Sequence, residues 1–192
     1  MKLENILVGS DGHIRLSDWS SALVGKDYSK RLLCSYIRGT KMYAPPEVIT
    51  QYIASEKSFF AQRQWDATLA DVWSTGITIY AMACGRPPFH IATHEDPWFS
   101  SFLKETDQEG DMLDLALVSE CASTGANYLT CESLDDGPKG RFLWPSCMNP
   151  SLVCLLLKML KVKPEKRCTV AEALSMLKQL GEEVQQAVMV TE

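Results

Sequence analysis

The sequence predicts a mainly α fold, helical with one short β-hairpin at its N-terminus. Three observations carry that reading. From residue 70 to residue 84 the chain is apolar on every side, the mark of a helix buried all round. Leu152, Leu155, Leu156, Met159 and Leu160 recur at the i, i+3, i+4, i+7, i+8 spacing of a core-facing helix. Ahead of both, the first eighteen residues alternate with period two on either side of a turn.

The hairpin comes first. Ile6 and Val8 alternate with Leu7, Asp11-Gly12 supplies a tight turn, and Ile14 and Leu16 alternate with His13, Arg15 and Ser17. Such a hairpin brings the residue before its first strand close to the residue after its second. Asn5 and Asp18 are therefore expected to be neighbours, an oxygen-only pair of the kind that takes Mg²⁺ together with phosphate oxygens. Residues 18–47 show little periodicity and hold the hydroxyls of Ser20, Ser21, Tyr28, Ser29, Ser35 and Thr40 beside Arg31 and Arg38, as a long functional loop does. Residues 48–64 read as a short helix and a surface stretch containing Phe59-Phe60.

In the helix of residues 70–84, Trp73, Ile77, Tyr80 and Cys84 make one face. Val72, Ile79 and Met82-Ala83 fill the others, and Gly85 stops it. Asp71 at its start is then an acid entering a core, which needs hydrogen-bond partners. Asp96 to Glu105 reads as an exposed helix with Trp98, Phe99, Phe102 and Leu103 on its apolar side. Residues 106–140 are acidic and punctuated by glycine, an insertion that reads as a solvated loop or as a docking surface for a basic partner. Terminal helices are expected within 150–180. Thr169-Val170-Ala171-Glu172 forms a capping box, and Val170, Ala173, Leu174 and Leu177 line one face beyond it. Residues 181–192 read as a fraying polar tail.

Charge and composition narrow the function classes. Between Glu95 and Asp136 there are eleven acids and one base, Lys104, a local charge of −10 in a chain of net −5, so the rest carries +5. A basic body with an acidic excursion suits phosphate better than nucleic acid, which wants a basic stripe interleaved with aromatics. No apolar run exceeds the six residues of Leu152 to Leu157, far short of a membrane span. Met1-Lys2-Leu3-Glu4 leads into a strand, unlike a signal peptide. The seven cysteines include no Cys-x-x-Cys, which reads as reduced thiols in an intracellular, cytoplasmic chain. His90 and His94 lie near Glu95 and Asp96, but surface polar residues are the better reading than a metal site.

Taken in order, the motifs resemble a known family. Lys2-Leu3-Glu4-Asn5, the hairpin, and Asp18-Trp19-Ser20 are similar to the catalytic and metal-binding loops of protein kinases. Gly39-Thr40-Lys41-Met42-Tyr43-Ala44-Pro45-Pro46-Glu47 resembles the close of a kinase activation segment. Asp71-Val72-Trp73-Ser74-Thr75-Gly76 resembles the start of the central helix, and Lys163-Pro164-Glu165-Lys166-Arg167-Cys168-Thr169 the loop with the late arginine. The resemblance implies a partial serine/threonine kinase domain over residues 1–180, a C-terminal lobe with its catalytic and metal-loop hairpin in 1–20 and its activation segment in 18–47. It also implies ATP and Mg²⁺ as ligands and a protein serine or threonine hydroxyl as acceptor.

On that resemblance Asp18 contacts Mg²⁺, Asn5 holds a second metal, Lys2 contacts the transferred phosphate, and Thr40 bonds to Lys2 and the base. Glu47 pairs with Arg167, and Asp71 accepts backbone N–H groups of the catalytic loop; these three are structural. Trp19-Ser20 stands where the family has Phe-Gly, and because serine takes positive φ less readily than glycine, flips of this loop should be harder. Pro45 replaces an alanine. The His-Arg-Asp base, the glycine-rich loop, the strand lysine and its helix glutamate are not among the 192 residues, and no two glycines sit two apart. The expectation is a C-lobe fragment, from a truncated gene model, without turnover of its own. The alternative is a non-catalytic, kinase-like binding module.

Overall fold

The computed structural model describes residues 1–25, 31–35, 39–57, 64–106, 144–145 and 148–191. Tyr28, Ser29, Arg38, Phe59-Phe60 and the acidic insertion after Thr106 lie outside the described residues.

Strands β1 (Ile6–Val8) and β2 (Ile14–Leu16) pair antiparallel in the register Ile6 with Leu16, Leu7 with Arg15 and Val8 with Ile14. Gly12 supplies the positive φ of +77° that the turn needs. Asp11 secures the turn by accepting the His13 N–H (3.1 Å) and gripping the Arg15 guanidinium (Nη1–Oδ1 2.9 Å). The long loop that follows is not structureless: β3 (Leu33–Cys34) pairs antiparallel with β4 (Trp65–Asp66). A 3₁₀ turn at Lys41–Tyr43 and helix α1 (Pro46–Lys57) separate these two strands in sequence.

Helix α2 (Ala67–Cys84) is the axis of the fold and begins three residues earlier than its apolar pattern suggested. Asp66 is the reason. Its carboxylate takes the Thr68 N–H (3.0 Å) and hydroxyl (2.6 Å), satisfying donors that a helix start leaves open. Gly85, at φ +73°, closes the other end. Around α2 pack helix α3 (Pro97–Thr106) and helix α4 (Pro150–Met159), and Trp73, Ile77 and Tyr80 meet Phe89, Phe99, Phe102, Trp144, Leu156 and Leu160 in the main core. Phe89 and Phe99 stand edge to face at 4.9 Å. A second cluster joins Val72, Leu155, Met159, Cys168 and Ala173, the last from helix α5 (Val170–Thr191). Burial pushes the Cys168 thiol up, so it packs as a neutral apolar group. No described helix is long and apolar enough to cross a membrane.

Four expectations need correction. Helix α3 is not exposed: Phe99 and Phe102 are core residues. Beneath them Asp96, itself buried, accepts the N–H groups of His90, Ile91, Trp98 and Phe99 at 2.8–3.1 Å. The C-terminal stretch is no frayed tail, since α5 runs through Gly181 to Thr191. A helical glycine costs about 1 kcal/mol relative to alanine, and beyond it Ser151 donates to Glu183 at 2.8 Å, tying this stretch to α4. Of the face expected to be buried on α5, only Ala173 is; Val170, Leu174 and Leu177 are exposed, and Met176 packs inward instead. Finally, Asp71 does not enter the core. Its side chain is 77% exposed, with the Met1 terminal ammonium 3.6 Å away, because at about 100° per residue it lies on the side of α2 opposite Trp73 and Tyr80.

Candidate functional site

The hairpin's open end builds the site. The Ser17 N–H donates to the Asn5 carbonyl at 2.9 Å, and its hydroxyl reaches the same oxygen at 3.2 Å. That pair of bonds closes the mouth of the hairpin and leaves the next residue, Asp18, beside Asn5. Asp18 has φ +57°, the left-handed region that aspartate tolerates better than most residues. It is the one described non-glycine residue with positive φ, so Ser20, in the place of the family's glycine, is spared that strain.

Ser20 acts on the carboxylate instead. Its hydroxyl donates to Asp18 Oδ1 at 2.6 Å and its N–H approaches the same oxygen at 3.4 Å. These two contacts come first among the causes that hold the exposed Asp18 carboxyl below the usual carboxylate range; the nearby Lys2 charge and the Asn5 side chain add to them. Lys2, Asn5 and Asp18 thus converge at one spot. They are oxygen donors beside a fixed positive charge, a hard donor set that fits a small divalent cation bound with phosphate. Among the described residues no group of three or more His, Cys, Asp or Glu converges as a metal cluster.

The 3₁₀ turn of Lys41–Tyr43 meets the Leu3–Asn5 turn beside this spot. Tyr43, buried, donates its hydroxyl to Glu4 Oε2 at 3.4 Å, and burial pushes its phenol up. Thr40 is exposed. Its carbonyl accepts the Tyr43 N–H (3.0 Å), but its hydroxyl makes no bond to Lys2 among the described residues, contrary to the expected arrangement. Glu47 does meet Arg167, and Asp71 lies apart from them at the start of α2.

Sequence reasoning missed two functional features. Ser20 enters the sequence reading as a loop hydroxyl and for its backbone, not as a partner of Asp18, although a hydroxyl two residues after an aspartate is a recurrent partner of that carboxylate. Asp96 was read as a helix start without its role, although Asp-Pro ahead of an aromatic run is a capping signature.

Comparison with known proteins fits this geometry. The profile of the protein kinase domain family matches residues 1–177. CBL-interacting serine/threonine-protein kinase 13 of Arabidopsis thaliana is 23% identical over 172 residues, 90% of this chain and 25% of that protein. Aurora kinase A-B of Xenopus laevis is 31% identical over 98 residues, 51% of this chain and 20% of its own. Human 3-phosphoinositide-dependent protein kinase 1 is 34% identical over 89 residues, 46% of this chain and 14% of its own. The chain therefore spans a quarter or less of the length of these relatives.

Proposed function

The chain belongs to the protein kinase domain family, and from that premise we propose that it is the C-terminal lobe of an ATP- and Mg²⁺-dependent serine/threonine protein kinase, with a protein hydroxyl as phosphate acceptor. The observation that carries this reading is the convergence of Lys2, Asn5 and Asp18 at the mouth of the hairpin. In it, Asp18 and Asn5 hold the cation and Lys2 sets a point charge against the transferred phosphate. Bound there, Mg²⁺ would neutralise charge on the nucleotide phosphates. The chain's own contribution is placement: the Ser17–Asn5 bonds fix the spacing of the two ligands, and Ser20 fixes the carboxylate.

A general base for the substrate hydroxyl is not among the 192 residues, so the isolated chain is expected to bind without turning over. The test has two arms. Purified chain should show Mg²⁺-dependent ATP binding by calorimetry, lost in Asp18→Asn, and no transfer of labelled phosphate to a generic protein substrate above background. Absence of nucleotide binding would defeat the site reading. Transfer by the wild-type chain would defeat the division of labour.

One observation favours a second reading, a non-catalytic binding module. Val8, Ile14 and Trp19 are 74%, 70% and 67% exposed on and beside the hairpin, an apolar surface of the kind that marks a covered face. Reading the transcript upstream of the Met1 codon decides between the two. An in-frame His-Arg-Asp with a glycine-rich loop farther up supports the kinase, and unrelated sequence there supports the module.

A further inference from the structure

One residue at the hairpin mouth has no counterpart in the family motif. Where the family has glycine, this chain has Ser20, and its side chain is spent on the metal-site carboxylate. The hydroxyl lies 2.6 Å and the N–H 3.4 Å from the same oxygen, Oδ1 of Asp18. Both donors of Ser20 thus address one oxygen of that carboxylate, the hydroxyl far more closely than the N–H. A glycine in that position would supply the N–H alone. The bond from the hydroxyl also fixes the side-chain torsion of Asp18, whose backbone is already held at φ +57°.

We propose that Ser20 is a specificity-determining residue of the Asn5–Asp18 site, engaging Oδ1 of Asp18 so that this oxygen serves a cation less readily than Oδ2. The consequence follows from coordination chemistry. Ca²⁺ fills a large shell and often takes both oxygens of one carboxylate, whereas Mg²⁺ is small and octahedral and takes one. A carboxylate with one oxygen committed elsewhere serves Mg²⁺ or Mn²⁺ and penalises Ca²⁺. The inference rests on the reading of Asn5 and Asp18 as cation ligands. It adds that the selectivity is set by a side chain that never touches the metal.

The test uses the isotopically labelled 192-residue chain and Mn²⁺ as a paramagnetic probe. Mn²⁺ should broaden the NMR signals of the Asn5 side-chain amide and the Asp18 carboxyl, and Mg²⁺ and Ca²⁺ are then compared as competitors. In Ser20→Ala the competition ratio should move toward Ca²⁺ by roughly tenfold, the change that one hydrogen bond to a charged group commands. Ser20→Thr, which keeps the hydroxyl, should restore the wild-type ratio. A general loosening of the loop would weaken both competitors alike and leave the ratio still. Equal ratios in wild type and Ser20→Ala, or a shift that Ser20→Thr does not reverse, would overturn the role of Ser20 while leaving the site standing. Absence of broadening in the wild type would overturn the metal site itself, and the proposal with it.

Discussion

Arg167 and Glu47, 120 positions apart in sequence, meet as a two-pronged ion pair, Nη1 to Oε1 at 2.9 Å and Nη2 to Oε2 at 3.2 Å. The Arg167 side chain is fully buried, and its remaining donors reach the carbonyls of Leu69 (2.8 Å) and Lys161 (3.0 and 3.1 Å). Its guanidinium lies over the Trp73 ring, 5.1 Å from the centroid. One side chain thus ties the start of α1, the first turn of α2 and the loop after α4 to each other.

Breaking that pair from either side strands a charge. Glu47→Gln should destabilise the chain by about 3 kcal/mol and Arg167→Ala by about 3–5 kcal/mol. Arg167→Lys should recover little, because an ammonium cannot fork to a carboxylate and two carbonyls at once. Urea denaturation of the three variants checks the order. Variants within 0.5 kcal/mol of wild type, a surface-pair value by order of magnitude, would mean the pair is decorative.

Asp96 holds a comparable position for α3. Its two oxygens split four N–H groups evenly, Oδ2 taking His90 and Ile91 and Oδ1 taking Trp98 and Phe99. Asp96→Ala orphans all four in a buried setting, a loss of about 3 kcal/mol or more at 1–3 kcal/mol per unsatisfied group with partial relaxation. Asp96→Asn is the sharper probe. Its amide nitrogen would face two N–H donors in place of an acceptor, so the near-isosteric change should still cost about 2 kcal/mol. Hydrogen exchange at Trp98 and Phe99 reports the cap directly, and unchanged protection in Asp96→Asn would refute it.

How legible the fold was depended on how local its cause is. The hairpin and the α4 stripe of Leu155, Leu156 and Met159 follow from period and turn chemistry, so their residues announce them. The inward face of α5 does not. Val170, Leu174 and Leu177 form as good an apolar row as Ala173 and Met176, and small Ala173 wins because it lets α5 approach Leu155 and Met159. Asp71 misled for a related reason: an acid in an apolar helix says that it needs partners if buried, not which side of the helix faces the core. At the site, the Asn5–Asp18 proximity was readable from hairpin geometry, while the Ser20 bond to Oδ1 depends on a side-chain torsion that no pattern encodes.

The capping box at the start of α5 carries a pH signature. Thr169 donates its N–H (2.7 Å) and hydroxyl (2.9 Å) to Glu172, and the Glu172 N–H returns to the threonine oxygen at 3.2 Å. The Thr169 backbone bond, then its side chain, hold the Glu172 carboxyl below the usual glutamate range. A carboxyl lowered by folding adds stability that is fully present above its unfolded value of about 4.3, and lost as pH falls through the folded value. Thr169→Ala should therefore lower the thermal midpoint by roughly 2–4 °C at neutral pH. The gap to wild type should narrow in acid below that range. A gap that stays constant with pH would show that the Thr169 hydroxyl does not help hold the Glu172 carboxylate, the backbone N–H alone doing so.

Gly76 sets how closely α2 and the end of α4 approach. A β-carbon placed on it would stand 3.0 Å from Leu160 Cδ2 and 3.2 Å from Met159 Cβ. Two terms oppose each other in Gly76→Ala. Helix propensity favours alanine by about 1 kcal/mol, while forcing a methyl into a packed core costs typically about 1–3 kcal/mol. Leu160 can rotate its terminal methyl away, but the Met159 β-carbon moves only with its backbone, so crowding should win. Gly76→Ala is expected to be destabilising by about 1 kcal/mol net, and Gly76→Val by more, since its branched carbons add the same clash without alanine's propensity. A gain of stability in Gly76→Ala would mean that α4 slides to accommodate the methyl and that the glycine is not what fixes the helix separation.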